Sequence, residues 1–198
     1  MPDSFWKGEQ LMAGQKEHVN ELLVQSFKEL ACSRPIEKIT IKEITDRAGV
    51  IRPTFYNHFQ DKYELLEQII VREVLEPTGP LIQAGMIDEA MLLMLAAVER
   101  DKEFYIRASR LEGQNSFEEI VRACIRRVLL GLIQEHAVFQ TPKNRWQTPE
   151  NVSEYYAQSM CYIVMTWIRS NMAVPPKEVV EIYNYIITHS MKDVLEGR

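Results

Sequence analysis

The sequence predicts an all-α protein of about nine helices. In nearly every segment the apolar residues recur every three or four positions, which is the period of a helix, and not at every second position. Glycine (8) and proline (9) are sparse among the 198 residues, so most of the chain can form regular structure. Apolar residues make up 46% and charged residues 26%, which are values typical of a globular chain with a sizeable core.

The first helix is predicted from about Gly14 to Cys32. Its apolar residues fall on one face at helical spacing: Val19, Leu22, Leu23, Phe27 and Leu30. Ser33-Arg34-Pro35 follows this face. Because the residue before a proline avoids the helical region of backbone space, we expect the helix to end there.

A short second helix is predicted to begin after Thr40. Thr40 and Glu43 form the S/T-x-x-E pattern of a capping box, and the helix is predicted to run for about eight residues with Ile41, Ile44 and Ala48 pointing inward. Gly49 follows at the position of a left-handed C-cap residue. The pattern therefore predicts a short helix that ends in a glycine turn.

A third, still shorter helix is predicted to open at Arg52-Pro53-Thr54. Proline is tolerated in a first helical turn, where its missing N–H has no partner in any case. Asp61, with Glu64 three residues later, resembles the N-cap of a longer fourth helix that reaches Leu75. These helices form a compact helical bundle, held together by their inward faces.

The segment from Glu76 to Pro80, Glu-Pro-Thr-Gly-Pro, is the strongest helix breaker in the sequence. We place a domain boundary there, with an N-terminal domain of residues 1–75 and a C-terminal domain of residues 76–198. Five further helices are predicted in the second domain: Met86–Glu99, Lys102–Leu111, Phe117–Ala137, Thr148–Asn171 and Pro175–Leu195.

Two short helices joined by a glycine turn, between two longer helices, form a helix-turn-helix. In such a unit the first short helix, here Thr40 to Gly49, braces the second. The second, Ile51 to Phe59, enters the major groove of DNA. Phe55 and Phe59 lie four residues apart and can pack inward. A glycine turn between helices also occurs in many other helical proteins, and aromatic residues are common in cores.

The outward face of that second helix has a chemistry suited to DNA. It is predicted to carry Arg52, Thr54, Tyr56, Asn57 and His58, and no carboxylate. An arginine can pair bidentately with guanine, and a threonine can offer its hydroxyl or its methyl group to a base edge. Tyrosine hydroxyls and imidazoles can bind phosphate oxygens.

The distribution of charge along the chain also favours this segment as the DNA-binding surface. The whole chain has a formal net charge of −5, which argues mildly against nucleic acid, because a basic excess is usual in proteins that bind it. Residues 34–62 contain six cations and four carboxylates, a local net charge of +2. Lys62 in this segment stands at a predicted helix N-terminus, where free backbone N–H groups also favour phosphate.

The stretch ITIKEITDRAGVIRPTFYNHFQDKYELLEQII resembles the N-terminal DNA-binding domain of the TetR/AcrR family of transcriptional regulators. The residues that match the family pattern in order and spacing are Ile39-Thr40-Ile41, Ile44, Ala48-Gly49-Val50, Tyr56, His58-Phe59, Lys62 and Leu65. The match covers roughly Val19 to Ile70, about a quarter of the chain.

The resemblance implies roles for individual residues. Thr40, Tyr56, His58 and Lys62 would hold phosphates. Arg52, Pro53 and Thr54 would face base edges, with Asn57 as a further candidate. Ile51 departs from the family pattern, which usually has a Ser or Thr cap there, and a lost cap costs about 1 kcal/mol. Pro53 departs as well, because a small residue is common at its position.

The resemblance also implies a homodimer whose C-terminal halves contain a small-molecule pocket. The last two predicted helices carry more apolar surface than one face of a surface helix needs, so a four-helix dimer interface is expected; packing within one protomer is the alternative. Candidate interface residues are Tyr155, Ile163, Trp167, Val179, Ile182 and Ile186. Candidate pocket residues, any one of which is more often core than ligand contact, are Met91, Leu95, Phe104, Leu111, Phe117, Val121, Cys124, Tyr156 and Met160.

The implied function is that of a ligand-responsive repressor that binds a palindromic operator in double-stranded DNA. A small helical enzyme is the first alternative, but the histidines are scattered and no HExxH, G-x-S-x-G or glycine-rich phosphate loop occurs. We expect no cofactor and no metal site. Cys32, Cys124 and Cys161 form no CxxC pair and are expected to be small buried hydrophobes.

The second alternative is an activator or co-regulator that works through a partner protein. Tyr155 to Glu181 faintly resembles the C-terminal domains of activators of dihydroxyacetone-kinase operons, with a tryptophan followed by Pro-x-Glu. No signal region and no apolar run of 18 residues occurs, so we expect no membrane association. The expected compartment is the cytoplasm.

Overall fold

The computed structural model describes residues 3–135, 145–189 and 191–196. The predicted all-α fold is confirmed: the described residues contain helices and turns but no strand. Their α-helices are α1 (Asp3–Ser33), α2 (Ile41–Ala48), α3 (Arg52–Tyr56), α4 (Lys62–Ile70), α5 (Gly79–Gln83), α6 (Ile87–Arg100), α7 (Lys102–Ala108), α8 (Phe117–Glu135), α9 (Pro149–Arg169), α10 (Pro176–Thr188) and α11 (Met191–Glu196).

The chain divides into two compact units, residues 1–69 and 70–198. The division falls a few residues before the boundary predicted after Leu75, and it lies inside α4. The assignment of one domain to DNA and the other to effector and dimer contacts stays a prediction.

The first unit is built on a dense apolar core. α1 packs against α2, and α2 packs against α3. The side chains that fill the core come from every helix of the unit and are almost completely buried: Leu23, Phe27, Ile44, Phe55, Leu65 and Leu66. Burial of one such side chain contributes about 1.5–3 kcal/mol, so the core fixes the relative positions of the short helices α2 and α3.

Local signals set the ends of α2 as predicted. The Thr40 hydroxyl oxygen accepts a hydrogen bond from the Glu43 backbone N–H, and the Glu43 carboxylate accepts one from the Thr40 backbone N–H. Gly49 ends the helix in the left-handed conformation at φ 69°, where a side chain would be strained. Ile51, the residue before α3, provides no side-chain cap, as its apolar side chain requires.

The Glu-Pro-Thr-Gly-Pro segment is helical, whereas the sequence predicts a helix break. α4 continues as a π-helical turn (Val71–Leu75), then as a 3₁₀ turn (Glu76–Thr78), and then as α5. Pro77 and Pro80 each lie in the first turn of a new helical segment, where a proline removes no hydrogen bond. The sequence pattern did not predict α5 or the 3₁₀ helix at Ile36–Lys38.

The second unit is organised around the paired helices α8 and α9, with α6 packed against α10. Ion pairs join the polar faces of α8 and α9. Arg122 contacts Glu154, Arg126 Nε lies 3.0 Å from the Glu154 carboxylate, and Arg169 lies 2.8 Å from Glu118. These half-exposed pairs orient the two helices, while apolar contacts provide most of the stabilisation.

The last predicted helix, Pro175 to Leu195, is interrupted. α10 ends at Thr188, His189 has an extended backbone, and α11 begins at Met191. The Thr188 hydroxyl donates to the Asn184 carbonyl oxygen at 2.7 Å. Side-chain bonds of this kind compete with the helical backbone pattern, which a search for apolar periodicity does not detect.

The cysteines have the environments expected of small hydrophobes. Cys124 and Cys161 are buried, and Cys32 is partly buried. The Cys161 thiol donates to the Glu118 carbonyl oxygen at 3.5 Å. Burial raises the pKa of this thiol to about 12, helped by the negative charge of Glu118.

Candidate nucleic-acid interface and ligand cavity

The face of α3 matches the arrangement expected of a recognition helix. Phe55 and Phe59 are buried, which confirms their predicted inward packing. Arg52, Pro53, Tyr56 and Asn57 are exposed, and Thr54 is partly exposed. The buried rings anchor α3 from below, so these exposed side chains stand on a rigid support.

Arg52 and Tyr56 form a pair on that face. Arg52 donates to the Tyr56 hydroxyl at 3.0 Å, and its guanidinium carbon lies 5.6 Å from the centre of the Tyr56 ring. They lie one helical turn apart, which places them on the same side of α3. The contact restricts the long arginine side chain and holds its remaining N–H donors at the surface.

Other basic side chains nearby are paired within the unit. Lys42 lies 2.6 Å from Asp46, Arg47 lies 2.6 Å from Glu29, and Arg34 lies 2.9 Å from Glu43. Each pair is at least one-third exposed, so each contributes little to stability. These ion pairs neutralise part of the positive charge near α3. Binding at α3 would therefore depend mainly on short-range contacts.

Thr40 is exposed at the N-terminus of α2, but its hydroxyl already has partners. It donates to the Glu43 carboxylate at 2.7 Å and accepts from the Glu43 N–H at 3.3 Å. Thr40 thus holds the start of α2. To bind at this position, a phosphate would have to replace the Glu43 carboxylate as the acceptor of the hydrogen bond that the Thr40 hydroxyl donates.

His58 is partly buried and turned toward α1. Its Nδ1 lies 2.5 Å from the Asn20 side-chain oxygen, which fits a neutral ring with the proton on Nδ1. Burial lowers the pKa of His58, and the nearby Lys16 lowers it further. The ring is therefore neutral near pH 7 and ties α3 to α1.

Lys62 is held by backbone carbonyl oxygens. Its ammonium group donates to Ile36, Glu37 and Ile39 at 2.9, 2.8 and 2.9 Å. An ammonium has three N–H donors, so all of them are used inside the unit. Burial lowers the pKa of Lys62. This geometry fixes the segment between α1 and α2, and a phosphate contact would require one of the bonds to break.

The second unit contains an apolar cavity. It is formed by side chains of α4 and the following π-helical turn, together with α6 to α10. The cavity offers about 80 Å³ to the centres of water-sized molecules, and the wider atom-free space of about 750 Å³ includes the part that is open to solvent. The lining is made of aliphatic, methionine and aromatic side chains, with no charged residue among the described residues that form it.

The predicted pocket residues separate into three groups. The cavity is lined by Met91, Leu95, Phe117, Val121 and Met160. Phe104, Leu111 and Cys124 are buried in the core elsewhere. Tyr156 is exposed, at 40% of its full surface. Spacing on a helix identifies the inward face but does not show which inward residues border empty space.

Two tyrosines in the cavity lining were not predicted from the sequence. Tyr105 is 1% exposed, and its hydroxyl has no hydrogen-bond partner. Tyr183 lies on α10 and borders the same cavity. A tyrosine at a buried position of a helix could have been selected from the sequence as a polar group in need of a partner.

The residues predicted for the dimer face also differ in their surroundings. Tyr155, Ile182 and Ile186 are exposed, as a surface for a second copy needs. Trp167 is buried instead, and its indole N–H donates to the Val174 carbonyl oxygen at 2.8 Å, inside the α9–α10 turn. Ile163 and Val179 line the cavity. Exposed residues not predicted, on the same two helices, are Tyr162, Tyr185 and Ile187.

Two protein-family descriptions match this chain, each over its own range. Residues 28–69 match the family described as bacterial regulatory proteins, tetR family. Residues 86–189, more than half of the chain, match the family described as transcriptional regulator C-terminal region. The chain belongs to the TetR family. As a TetR-family member it is a DNA-binding transcriptional regulator; such proteins are generally not enzymes, and they typically act as dimers with small-molecule effectors.

One curated TetR-family relative is similar over part of its length. The HTH-type dhaKLM operon transcriptional activator DhaS of Lactococcus lactis subsp. lactis (strain IL1403) is 28% identical over 85 residues. Those residues are 43% of this chain and 46% of that protein, so the match spans less than half of the relative.

The fold has a counterpart among solved structures. The structure of the dihydroxyacetone kinase operon activator DhaS matches 86% of this chain and 94% of its own chain, with a TM-score of 0.58 and 21% identity. At this identity the likeness shows the fold alone. Among the described residues, no helix is both long and apolar enough to cross a membrane.

Proposed function

We propose that this TetR-family protein binds a palindromic operator as a homodimer and that a small molecule in the apolar cavity alters its affinity for DNA. The observation that carries the proposal is the exposed face of α3, fixed by buried Phe55 and Phe59, in a chain whose N-terminal residues match the family's regulatory domain. We expect the protein to act in the cytoplasm.

The contacts to DNA divide by role. Arg52, Pro53 and Thr54 meet base edges, with Asn57 beside them, because they are exposed or partly exposed at the start of α3. Tyr56 is 49% exposed, and its hydroxyl, which accepts from Arg52, keeps its own O–H to donate to a phosphate. His58, Lys62 and Thr40 are already hydrogen-bonded within the unit, so their main part is to position α3 and the loop before α2.

Dimer formation is supported by exposed apolar surface on α9 and α10. Tyr155 and Tyr162 are 71% and 70% exposed, and Ile182 and Ile186 about half exposed. Large exposed apolar side chains that collect on two neighbouring helices favour an interaction site. A two-fold dimer presents two α3 helices to half-sites about 34–36 Å apart or a multiple of that distance.

Effector response requires a ligand that binds one conformation better than the other. The helix that begins at Lys62 is the natural link, since its later residues Ile70, Val74 and Leu75 line the cavity. The π-helical turn at Val71–Leu75 is a local departure from α-helical geometry, and such departures are common at functional positions.

The sign of regulation has two candidates. Repression follows when the operator overlaps a promoter. Activation is favoured by the sequence similarity over 85 residues to a protein named as an operon activator. In the activator form, a partner protein that binds the second unit takes the place of the small molecule as the regulating input.

The test of DNA binding is selection from a random duplex library at fixed moderate salt, followed by sequencing of the bound fraction. Salt is fixed because phosphate contacts weaken steeply as its concentration rises. We expect a palindromic consensus. Arg52→Ala should lower affinity for it by about 1–3 kcal/mol and relax one position, while Lys177→Ala on α10 serves as control. A folded dimer that enriches no sequence would contradict the proposal.

A further inference from the structure

We propose that Ile51, the residue before α3, is a specificity-determining residue that contacts the 5-methyl group of a thymine in the operator. This inference rests on the proposed function, in which the start of α3 meets base edges. It goes beyond that function by naming a base, the group on the base that is recognised, and a residue that the sequence analysis did not place at the DNA.

Ile51 is exposed in a unit that buries its other large aliphatic side chains. Among residues 16–69, whose side chains the structure describes, the large hydrophobic residues exposed to solvent are Ile51, at 69%, and Tyr56, at 49%. Ile51 directly precedes the exposed Arg52, and Tyr56 is hydrogen-bonded to that arginine. A single exposed apolar residue is ordinary on a protein surface, but both of these lie on the surface proposed to meet DNA.

The backbone keeps the Ile51 side chain out of the core. Ile51 lies four residues before the buried Phe55, a spacing that would place both on the inward face if the helix included Ile51. Instead, Ile51 has an extended backbone, at φ −85° and ψ 153°, and α3 begins at Arg52. The Ile51 carbonyl oxygen accepts from the Thr54 N–H at 2.9 Å. The backbone alone therefore starts the helix, and the side chain projects into solvent.

The side chain of Ile51 has the chemistry of a thymine contact and not of a helix cap. Serine, threonine, aspartate and asparagine are preferred before a helix because their side chains accept a backbone hydrogen bond, and Ile51 makes no such bond. In the major groove, the 5-methyl of thymine is the apolar group that a base pair presents. Contact between the two removes apolar surface of both from water. Because isoleucine is branched at Cβ, its first torsion is already restricted, so little conformational freedom is lost on contact.

The experiment removes the methyl group from the DNA and the side chain from the protein. The operator consensus is first obtained by selection from the random duplex library. Each thymine of the half-site is then replaced in turn, in both half-sites, by deoxyuridine, which pairs as thymine does but lacks the 5-methyl group. Affinity is measured by fluorescence anisotropy at one salt concentration for the wild type, for Ile51→Ser and for the control Leu93→Ser, which removes an exposed apolar side chain from α6.

We expect one thymine of the half-site to respond in the wild type. Loss of its methyl group should weaken binding about three- to fivefold for each half-site, the usual effect of one buried methyl group, and about ten- to twentyfold for both. The same replacement should leave the affinity of Ile51→Ser unchanged, whereas Leu93→Ser should show the full wild-type effect. Because serine can cap α3, Ile51→Ser should melt at the wild-type temperature or above, so the variant remains folded and testable.

Two results would overturn the inference and leave the proposed function standing. In the first, no thymine of a palindromic consensus responds to the loss of its methyl group in the wild type. In the second, a thymine responds equally in the wild type and in Ile51→Ser, which would assign the methyl contact to another residue of α3, such as Pro53 or Thr54. Failure of the selection to yield any consensus would contradict the proposed function together with the inference.

Discussion

The two units of the chain use their polar groups in opposite ways. In the first, polar side chains close on one another or on the backbone: Lys62 on three carbonyl oxygens, His58 on Asn20, Thr40 on Glu43. In the second, apolar side chains surround open space, and Tyr105 leaves a hydroxyl unpaired. Under the proposed function, the first unit presents fixed atoms to DNA and benefits from rigidity, whereas the second admits a ligand and benefits from incomplete packing.

The largest effect is expected in the core of the first unit. Phe55→Ala removes a completely buried ring from beneath the face of α3, and should lower the free energy of unfolding by about 3–5 kcal/mol. Urea unfolding followed by circular dichroism measures this. Asn57→Ala, at the exposed end of the same helix, should stay within about 0.5 kcal/mol of wild type. Equal effects of the two would show that α3 is not anchored by its core.

Enlarging one buried residue in each unit tests the packing contrast directly. Ala31→Leu adds carbon to a completely buried position of α1 and should cost about 1–3 kcal/mol. Val121→Leu adds carbon to the cavity wall and should change stability by less than about 0.5 kcal/mol, since space is present. The same urea titration measures both. Similar costs at the two positions would contradict the contrast.

Lys62→Met separates an internal role from a phosphate contact. Loss of the three carbonyl bonds should destabilise the chain by about 1–2 kcal/mol, and the slope of operator affinity against salt concentration should not change. A lost phosphate contact would instead reduce that slope by about 1 per protomer and leave the unfolding midpoint unchanged. Lys42→Met, at an exposed ion pair of α2, is the matched control.

The smallest effect is expected from pH at the start of α2. Hydrogen bonds from the Thr40 backbone and hydroxyl, and then Arg34, lower the pKa of Glu43 from 4.5 to about 2. A lowered folded-state pKa gives stability that is present above pH 4.5 and is lost as pH falls toward 2. The difference in urea midpoint between wild type and Glu43→Gln should therefore be present at pH 6 and vanish near pH 2. A constant difference across this range would contradict the assignment.

The sequence predicted those features whose cause is local. Thr40 and Glu43 stand three residues apart and Gly49 ends their helix, so the start and end of α2 follow from the residues themselves. The partners of Lys62 are 23 to 26 residues away. No spacing rule connects an ammonium to carbonyl oxygens at that separation, and its role could not be predicted from the sequence.

Burial on a helix was predictable, but its purpose was not. Periodicity placed Trp167 and Val179 on apolar faces, yet a single helix face can meet its own protomer, an empty space or a second copy. Trp167 closes a turn and Val179 borders the cavity, whereas Ile182 on the same helix as Val179 remains exposed. Only the packing of the neighbouring helices distinguishes these positions.

The environment of Cys161 has a chemical consequence for how the protein can be labelled. Thiolates, and not thiols, react with oxidants and alkylating reagents, and with a pKa of about 12 the Cys161 thiolate is almost absent at neutral pH. We therefore expect Cys161 to resist oxidation and alkylation in the folded state. A cysteine introduced at the exposed Lys177, in a variant whose partly buried Cys32 is replaced by serine, would react with a maleimide dye while Cys161 remains unmodified, so the distance between two labelled protomers could be followed during operator binding.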